Sequence, residues 1–197
     1  MGFGHAVLST CLHLPRQGLS ALQRQRVRAP RLRACRARVT QGMTPRGRFA
    51  LAVDRASADE IARHLRECSD SFAPPLAGRV DIAAYAEKIA GKAIRFEAWD
   101  AALGLVGLVA VYDNAGPDVF VTNVSVAPSW RGAGLAQRLL QSCFDRMDIP
   151  RARRYRLEVN QRSEAAVRLY ARMGFVPASK TGELICMERP ATGGDKK

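Results

Sequence analysis

At 197 residues and 47% hydrophobic content, the chain is long enough for one domain with a real core and too apolar to be disordered throughout. Its net charge of +13 suggests nucleic acid, but ten arginines and no lysine precede the first acidic residue, Asp54, and the remainder carries only +3, which argues against a basic nucleic-acid surface on the folded part. The longest apolar run, residues 101–111 around Gly104 and Gly107, falls short of the ~20 residues a membrane-crossing helix needs and reads as a buried strand.

Residues 1–47 show no sustained periodicity, carry Pro15, Pro30 and Pro45, and read as a basic extension of no fixed structure. Three origins stay open for it. An acid-free, arginine-rich N-terminus resembles an organellar transit peptide. It also suits a basic arm. The 26 arginines against 5 lysines fit a GC-rich coding sequence, in which the true start is Met43 and the upstream residues are spurious. A cytoplasmic protein is expected, or an organellar-matrix one if the transit peptide is real. The five cysteines, Cys11, Cys35, Cys68, Cys143 and Cys186, are scattered. No pair has metal-ligand or redox spacing, so a reducing compartment and no metal are expected.

The organised part spans residues 48–190, followed by a loose polar tail, 191–197. A strand is predicted at 49–53. Ser57-Ala-Asp-Glu60 is a capping box opening a helix with Ile61, Leu65 and Cys68 inward. A loop with Phe72, Pro74, Pro75 and Arg79 leads to a second helix, capped by Asp81, striped by Ile82, Tyr85 and Ile89, and ending near Gly91. Segments 93–99 and 103–112 form a hairpin, and 113–116 a turn into a strand over 119–126. Then come a glycine loop and a long helix with Leu135, Leu139, Leu140, Cys143, Phe144 and Met147 inward. A strand at 154–159 precedes a helix capped by Ser163, facing inward with Ala166, Leu169, Tyr170 and Met173 and closed by Gly174. Strands at 175–178 and 183–189 complete a mixed sheet, so the fold class is α/β, with early antiparallel hairpins and a central parallel βαβ step.

Chemistry concentrates around Arg131-Gly132-Ala133-Gly134-Leu135-Ala136. Glycines feeding a helix turn several backbone N–H groups toward one point, where the helix dipole is positive and a phosphate binds. No Gly-Lys-Ser/Thr ends the loop, and no third glycine or suitably placed acid follows, which argues against ATP and NAD.

Arg131-x-x-Gly134-x-Ala136 together with Asn160, at a strand end before a helix with Leu169-Tyr170 and Gly174-Phe175, resembles the GNAT superfamily of acyl-CoA-dependent N-acyltransferases. The resemblance covers residues 49 to about 189 and is strongest over 124–175. It implies a central mixed sheet splayed between two parallel strands and flanked by helices. Acetyl-CoA would be the acyl-donor substrate, with Val124, Ser125 and Val126 beside its pantetheine arm. Arg131, Gly132, Ala133, Gly134, Leu135 and Ala136 would hold its pyrophosphate, and Asn160 would contact it from the second strand.

The resemblance also makes Tyr170 the general acid for the departing thiolate, since a phenol of pKa about 10 stays protonated at neutral pH. Glu158 is the best general base, twelve residues before Tyr170, a spacing similar to that of ribosomal-protein N-terminal acetyltransferases within the family. The competing reading of Glu158 is an ion pair with Arg154, Arg156 or Arg162. Where many relatives carry a catalytic glutamate, this chain has Thr122, Asn123 and Ser125. A water held by Asn123 or Ser125, or no dedicated base, are therefore the alternatives. Phe72, Arg79, Tyr85 and Asn123 are candidate acceptor contacts. No cysteine sits at a convincing nucleophile position, so direct attack by a primary amine in a ternary complex is expected. The acceptor would be a small molecule, an amino sugar or a peptide N-terminus, and a homodimer stays open. A catalytically silent CoA-binding sensor or interaction module is the alternative.

Overall fold

The computed structural model describes residues 40–44, 47–113, 118–147 and 154–190, all within the compact unit Ala37–Lys197. The transit-peptide, basic-arm and upstream-start readings concern mainly residues 1–39, and the loose tail residues 191–197; both stretches lie outside the described residues. So does most of the turn expected at 113–116.

Local rules account for the helices. In α1 (Ala58–Cys68) the capping box forms in both directions, with Glu60 N–H donating to Ser57 Oγ and Ser57 N–H to Glu60. In α2 (Ile82–Lys92) the Asp81 side chain accepts from the Ala83 and Ala84 amides, and the helix runs past Gly91 to Lys92. Helix α3 (Leu135–Met147) buries Leu135, Leu139, Leu140, Cys143 and Phe144. Each such large apolar side chain contributes about 1.5–3 kcal/mol by burial. Helix α4 (Glu164–Arg172) does not use its expected cap, because the Ser163 side chain makes no capping bond. Asn160 Oδ1 instead accepts from the Arg162 amide just before it.

Eight strands form one sheet: β1 (Thr40–Thr44), β2 (Gly47–Val53), β3 (Ile94–Asp100), β4 (Gly104–Asp113), β5 (Asp118–Val126), β6 (Arg154–Asn160), β7 (Val176–Thr181) and β8 (Leu184–Pro190). Their spatial order is β1-β2-β3-β4-β5-β6-β8-β7, and every neighbouring pair is antiparallel except β5–β6. Strand β1 is an addition to the sequence reading. It pairs with β2 from Thr40↔Leu51 to Thr44↔Gly47, so Met43 lies inside the sheet and not ahead of it. The apolar run of 101–111 is indeed a buried strand, β4. Among the described residues no helix is long and apolar enough to cross a membrane.

The sheet carries a core on each face. One joins α3 and α4 to the sheet through Leu139, Phe144, Tyr155, Tyr170 and Phe175. The other joins α1 and α2 through Ile61, Leu65, Ile89 and Leu108. Gly107 in mid-β4 sets how closely α3 lies: a Cβ there would come within 2.8 Å of Leu139 Cδ1. A buried carboxylate ties β2 to β3. Glu97, fully enclosed, accepts from the Arg55 and Ala56 amides and from Trp99 Nε1, and pairs with Arg95.

Two irregularities position the site. Opposite Ala110 and Val111 of β4, strand β5 contains one extra residue, Thr122, forming a β-bulge. Since side chains alternate along a strand, the bulge changes which set faces which side. Val119 and Val121 face the α3–α4 core. Beyond the bulge Val124 and Val126 face that core instead, and Asn123 and Ser125 turn toward α1. Parallel pairing of β5 with β6 also ends there, at Val121↔Leu157. Beyond it β5 pairs only with β4, and β6 only with β8. A V-shaped gap opens between residues 122–126 and 158–160.

Candidate active site

The glycine loop closes one end of this gap. A short 3-10 turn, Pro128–Trp130, anchored by buried Trp130, brings the chain off β5. Gly132 and Gly134 both have φ +76, and nothing stands within 4 Å of where either Cβ would be. Only glycine adopts that conformation without strain, and the open space lets a ligand approach the backbone. Among the described residues, nothing accepts a hydrogen bond from the amides of Gly132, Ala133, Gly134, Leu135 or Ala136. Five N–H donors therefore stand at the positive end of α3, an arrangement suited to a pyrophosphate. The Arg131 side chain does something else: its Nε donates to the Val126 carbonyl at 3.1 Å, closing the end of β5.

The opening of the V forms a cavity of about 120 Å³. It brings together Phe72 and Arg79 from the α1–α2 loop, Asn123 and Val124 from β5, Glu158 and Asn160 from β6, and Tyr170 from α4. These residues, up to 98 positions apart in sequence, thus share one cleft, and both expected catalytic groups line it. A larger depression of about 420 Å³, lined by Arg48, Arg55 and Trp99 among others, contains none of the expected residues. The smaller space is the one lined by both the Glu158 carboxylate and the Tyr170 phenol.

Tyr170 packs edge-on against Phe175 at 5.8 Å between ring centroids. Its hydroxyl has no hydrogen-bond partner among the described residues, although the ring is buried. Burial pushes the phenol above its ordinary value, because the tyrosinate would lose its hydration. The group therefore holds its proton at any working pH.

Glu158 reaches solvent in the cleft. The three arginines named as its competing ion-pair partners are occupied: Arg154 and Arg156 by Asp118 and Glu188, and Arg162 by Glu183. Glu158 makes no ion pair among the described residues. Desolvation in the cleft raises its pKa above the ordinary carboxylate value, against the lowering pull of Arg156 and Arg79.

Other expected residues have different tasks. Tyr85 packs on the α1–α2 core and donates through its hydroxyl to the Thr122 carbonyl at 2.9 Å, bracing the bulge away from the cleft lining. The Asn160 amide is engaged on both sides, donating to Glu183 and accepting from Arg162 N–H. Ser125 turns its side chain away from the gap, to His64 at 2.9 Å. Among the described residues no cluster of metal-ligating side chains occurs.

Two groups escaped the sequence reading. His64 sits on the buried stripe of α1 between Ile61 and Leu65; a histidine on such a stripe was the available sign. Glu97 was visible only as a lone acid in an apolar strand.

Residues 58–175 match the family model described as acetyltransferase (GNAT) family. No curated protein matches the chain in sequence. Among solved structures, the ribosomal-protein-S18-alanine N-acetyltransferase of Escherichia coli is similar at TM-score 0.59 and 18% identity, over 76% of this chain and 98% of that one. NAA60 of Arabidopsis thaliana, in complex with a bisubstrate analogue, is similar at TM-score 0.57 and 17% identity, over 73% and 99%. PaiA N-acetyltransferase of Thermoplasma acidophilum, in complex with coenzyme A, is similar at 0.53 and 14%, over 71% and 98%. These identities speak for the fold; the family match covers more than half the chain and includes both the glycine loop and Tyr170. The chain belongs to the GNAT family of acetyltransferases.

Proposed function

We propose that the protein transfers acetyl from acetyl-CoA to a primary amine by direct attack in a ternary complex. The observation that carries this reading is the convergence of Glu158, Tyr170 and Asn123 on one cleft at the mouth of the β5–β6 gap, with five free amides at the start of α3, the helix into which β5 leads. The amides of residues 132–136 would hold the pyrophosphate, and the edge of β5 at Val124 and Val126 would run beside the pantetheine arm, which places the thioester in the gap.

The amine arrives in water as an ammonium and must lose a proton to expose its lone pair. That first proton goes to solvent as the amine enters. Glu158, unpaired and made more basic by desolvation, takes the second, which nitrogen sheds as it attacks, directly or through a water, and returns it to the Tyr170 oxygen after transfer. The nitrogen then attacks the thioester carbonyl carbon. The carbon–sulfur bond breaks and its electron pair leaves on sulfur. Tyr170 supplies the proton that neutralises the thiolate. A desolvated thiolate is destabilised by the same apolar walls that raise the phenol, so the proton transfer stays feasible.

The acceptor is bounded by the cleft. Phe72 offers an apolar wall, and Arg79 a cation without an ion-pair partner among the described residues. The similar E. coli enzyme is named for an alanine of ribosomal protein S18, and alanine's one amine is its α-amine, which makes peptide N-termini the first acceptors to try, ahead of amino sugars and small amines. CoA release measured against such a panel tests the reading. Amine-dependent turnover with intersecting initial-velocity lines is expected. Tight acetyl-CoA binding with no turnover of any amine would favour the silent sensor, and parallel lines would point to an acyl-enzyme.

A further inference from the structure

Behind the cleft, on the α1 face of the sheet, lies a buried hydrogen-bonded line that the transfer step does not use. His64 is 1% exposed. Its Nδ1 lies 3.2 Å from the Leu105 carbonyl oxygen and its Nε2 lies 2.9 Å from Ser125 Oγ. Ser125 Oγ is in turn 2.8 Å from the atom placed as Asn123 Oδ1. Asn123 lines the cleft, and the other heavy atom of its amide is not enclosed and has no partner among the described residues.

The supply of protons fixes the direction of this line. A carbonyl only accepts, so Leu105 needs the hydrogen on Nδ1. Burial pushes His64 down to about 4, helped by the nearby Arg131 charge and opposed by the bonds to Leu105 and Ser125. Near neutral pH the ring therefore has one N–H, and Nε2 is a bare acceptor. Ser125 must donate its hydroxyl hydrogen there. Cys68 Sγ, 3.7 Å from Nε2, is a weak donor and no substitute.

With its hydrogen on His64, Ser125 Oγ has only lone pairs for Asn123, which must answer with its NH2. The two ends of a carboxamide exchange by a half-turn, and the heavy-atom positions serve either polarity. The opposite polarity, with Ser125 donating to Asn123, would leave bare Nδ1 facing the Leu105 carbonyl, two buried acceptors head to head.

We infer that His64 and Ser125 are positioning residues that hold the Asn123 amide with its carbonyl oxygen toward the cleft, where it accepts an N–H of the acceptor amine. This rests on the function proposed above and deepens it. A neutral primary amine brings two hydrogens: one leaves to Glu158 during attack, and the other stays on nitrogen for Asn123. A hydroxyl acceptor has only one, which the base must take. The line thus selects nitrogen over oxygen acceptors and aligns the lone pair.

Two arms test it on the full chain. In the first, Ser125→Ala and Asn123→Ala are assayed with an amine that the wild type acetylates. Each is expected to raise the amine KM about tenfold, the scale of one hydrogen bond, with the acetyl-CoA KM unmoved. The double variant should be no worse than Asn123→Ala alone. An unchanged amine KM in Ser125→Ala, or losses that multiply in the double variant, would overturn the proposal. The second arm needs no substrate: nitrogen NMR of 15N-histidine-labelled wild type near pH 7, with His64 assigned through His64→Gln. A neutral Nδ1–H tautomer is expected, and an Nε2–H tautomer or an imidazolium overturns the inference. Failure of every amine to turn over would defeat the proposed function, while the NMR arm would still judge the His64 line.

Discussion

The two halves of the proposed site are built from different materials. The half proposed for the donor is backbone: five consecutive amides, two left-handed glycines and the start of one helix, all within residues 131–136. The half proposed for the acceptor is side chains from four separate elements, Arg79, Asn123, Glu158 and Tyr170, brought together by a bulge and a strand separation. A backbone cradle suits a ligand whose recognised part never changes, because amides are present whatever the side chains are. A side-chain wall suits chemistry, and it also suits variation in what is accepted, because each group can be replaced without rebuilding the loop. The difference predicts that substitutions in the two halves separate cleanly, donor binding from turnover.

The largest separation is expected at the catalytic pair. Tyr170→Phe and Glu158→Gln should each lower kcat by roughly 10²–10⁴-fold, the usual range for a lost general acid or base, with acetyl-CoA affinity by calorimetry near wild type. On the proposed mechanism, the acid limb of the kcat/KM profile is expected to be set by Glu158. Activity should fall as pH drops through a value above the ordinary carboxylate range, and Glu158→Gln should abolish that limb.

Next comes His64, which lies behind the cleft on the α1 face. Its folded pKa of about 4 is below the reference 6.5, so the unfolded chain binds a proton that the folded chain refuses between those values. Stability is therefore full above pH 6.5 and is lost as pH falls toward 4, by at most about 3 kcal/mol at 1.36 kcal/mol per unit. Urea melts across that window should show the slope, and His64→Gln should flatten it.

A smaller effect is expected in the donor half. Gly134→Ala places a Cβ at φ +76, at a cost of about 1–2 kcal/mol for a left-handed residue. Acetyl-CoA binding should weaken about tenfold by calorimetry, while kcat at saturating donor stays within a few-fold. A kcat collapse with normal donor affinity would break the division between halves. The smallest effect belongs to Arg79→Ala: an exposed charge contact is worth about 0–1 kcal/mol, so only a few-fold rise in amine KM is expected, confined to acceptors that carry an anion.

The same division explains what the sequence revealed. The glycine loop's shape was legible because it is local: two glycines, a helix start and an apolar stripe lie within a dozen residues. Tyr170 and Glu158 were legible because their spacing places them on a strand end and the next helix. The bulge at Thr122 was not, since an extra residue shows only against the partner strand; hence Ser125 was expected beside the donor and faces α1 instead. Tyr85 was expected at the acceptor and supports the bulge for the same reason. Strand β1 was missed because Thr-Gln-Gly-Met-Thr has no apolar alternation and follows an arginine-rich run. Ser163 looked like a cap by type, but its ψ of 57 departs from the extended backbone of a capping residue, and its carbonyl rather than its hydroxyl accepts from the Ala166 amide.

The most direct measurement is amine-dependent CoA release by wild type and Tyr170→Phe side by side, with acetyl-CoA affinity measured on both. Turnover of at least one primary amine, lost by about a hundredfold or more in the variant at unchanged donor affinity, is the predicted result. Equal turnover in the two proteins would contradict the placement of the reaction at the Glu158–Tyr170 cleft.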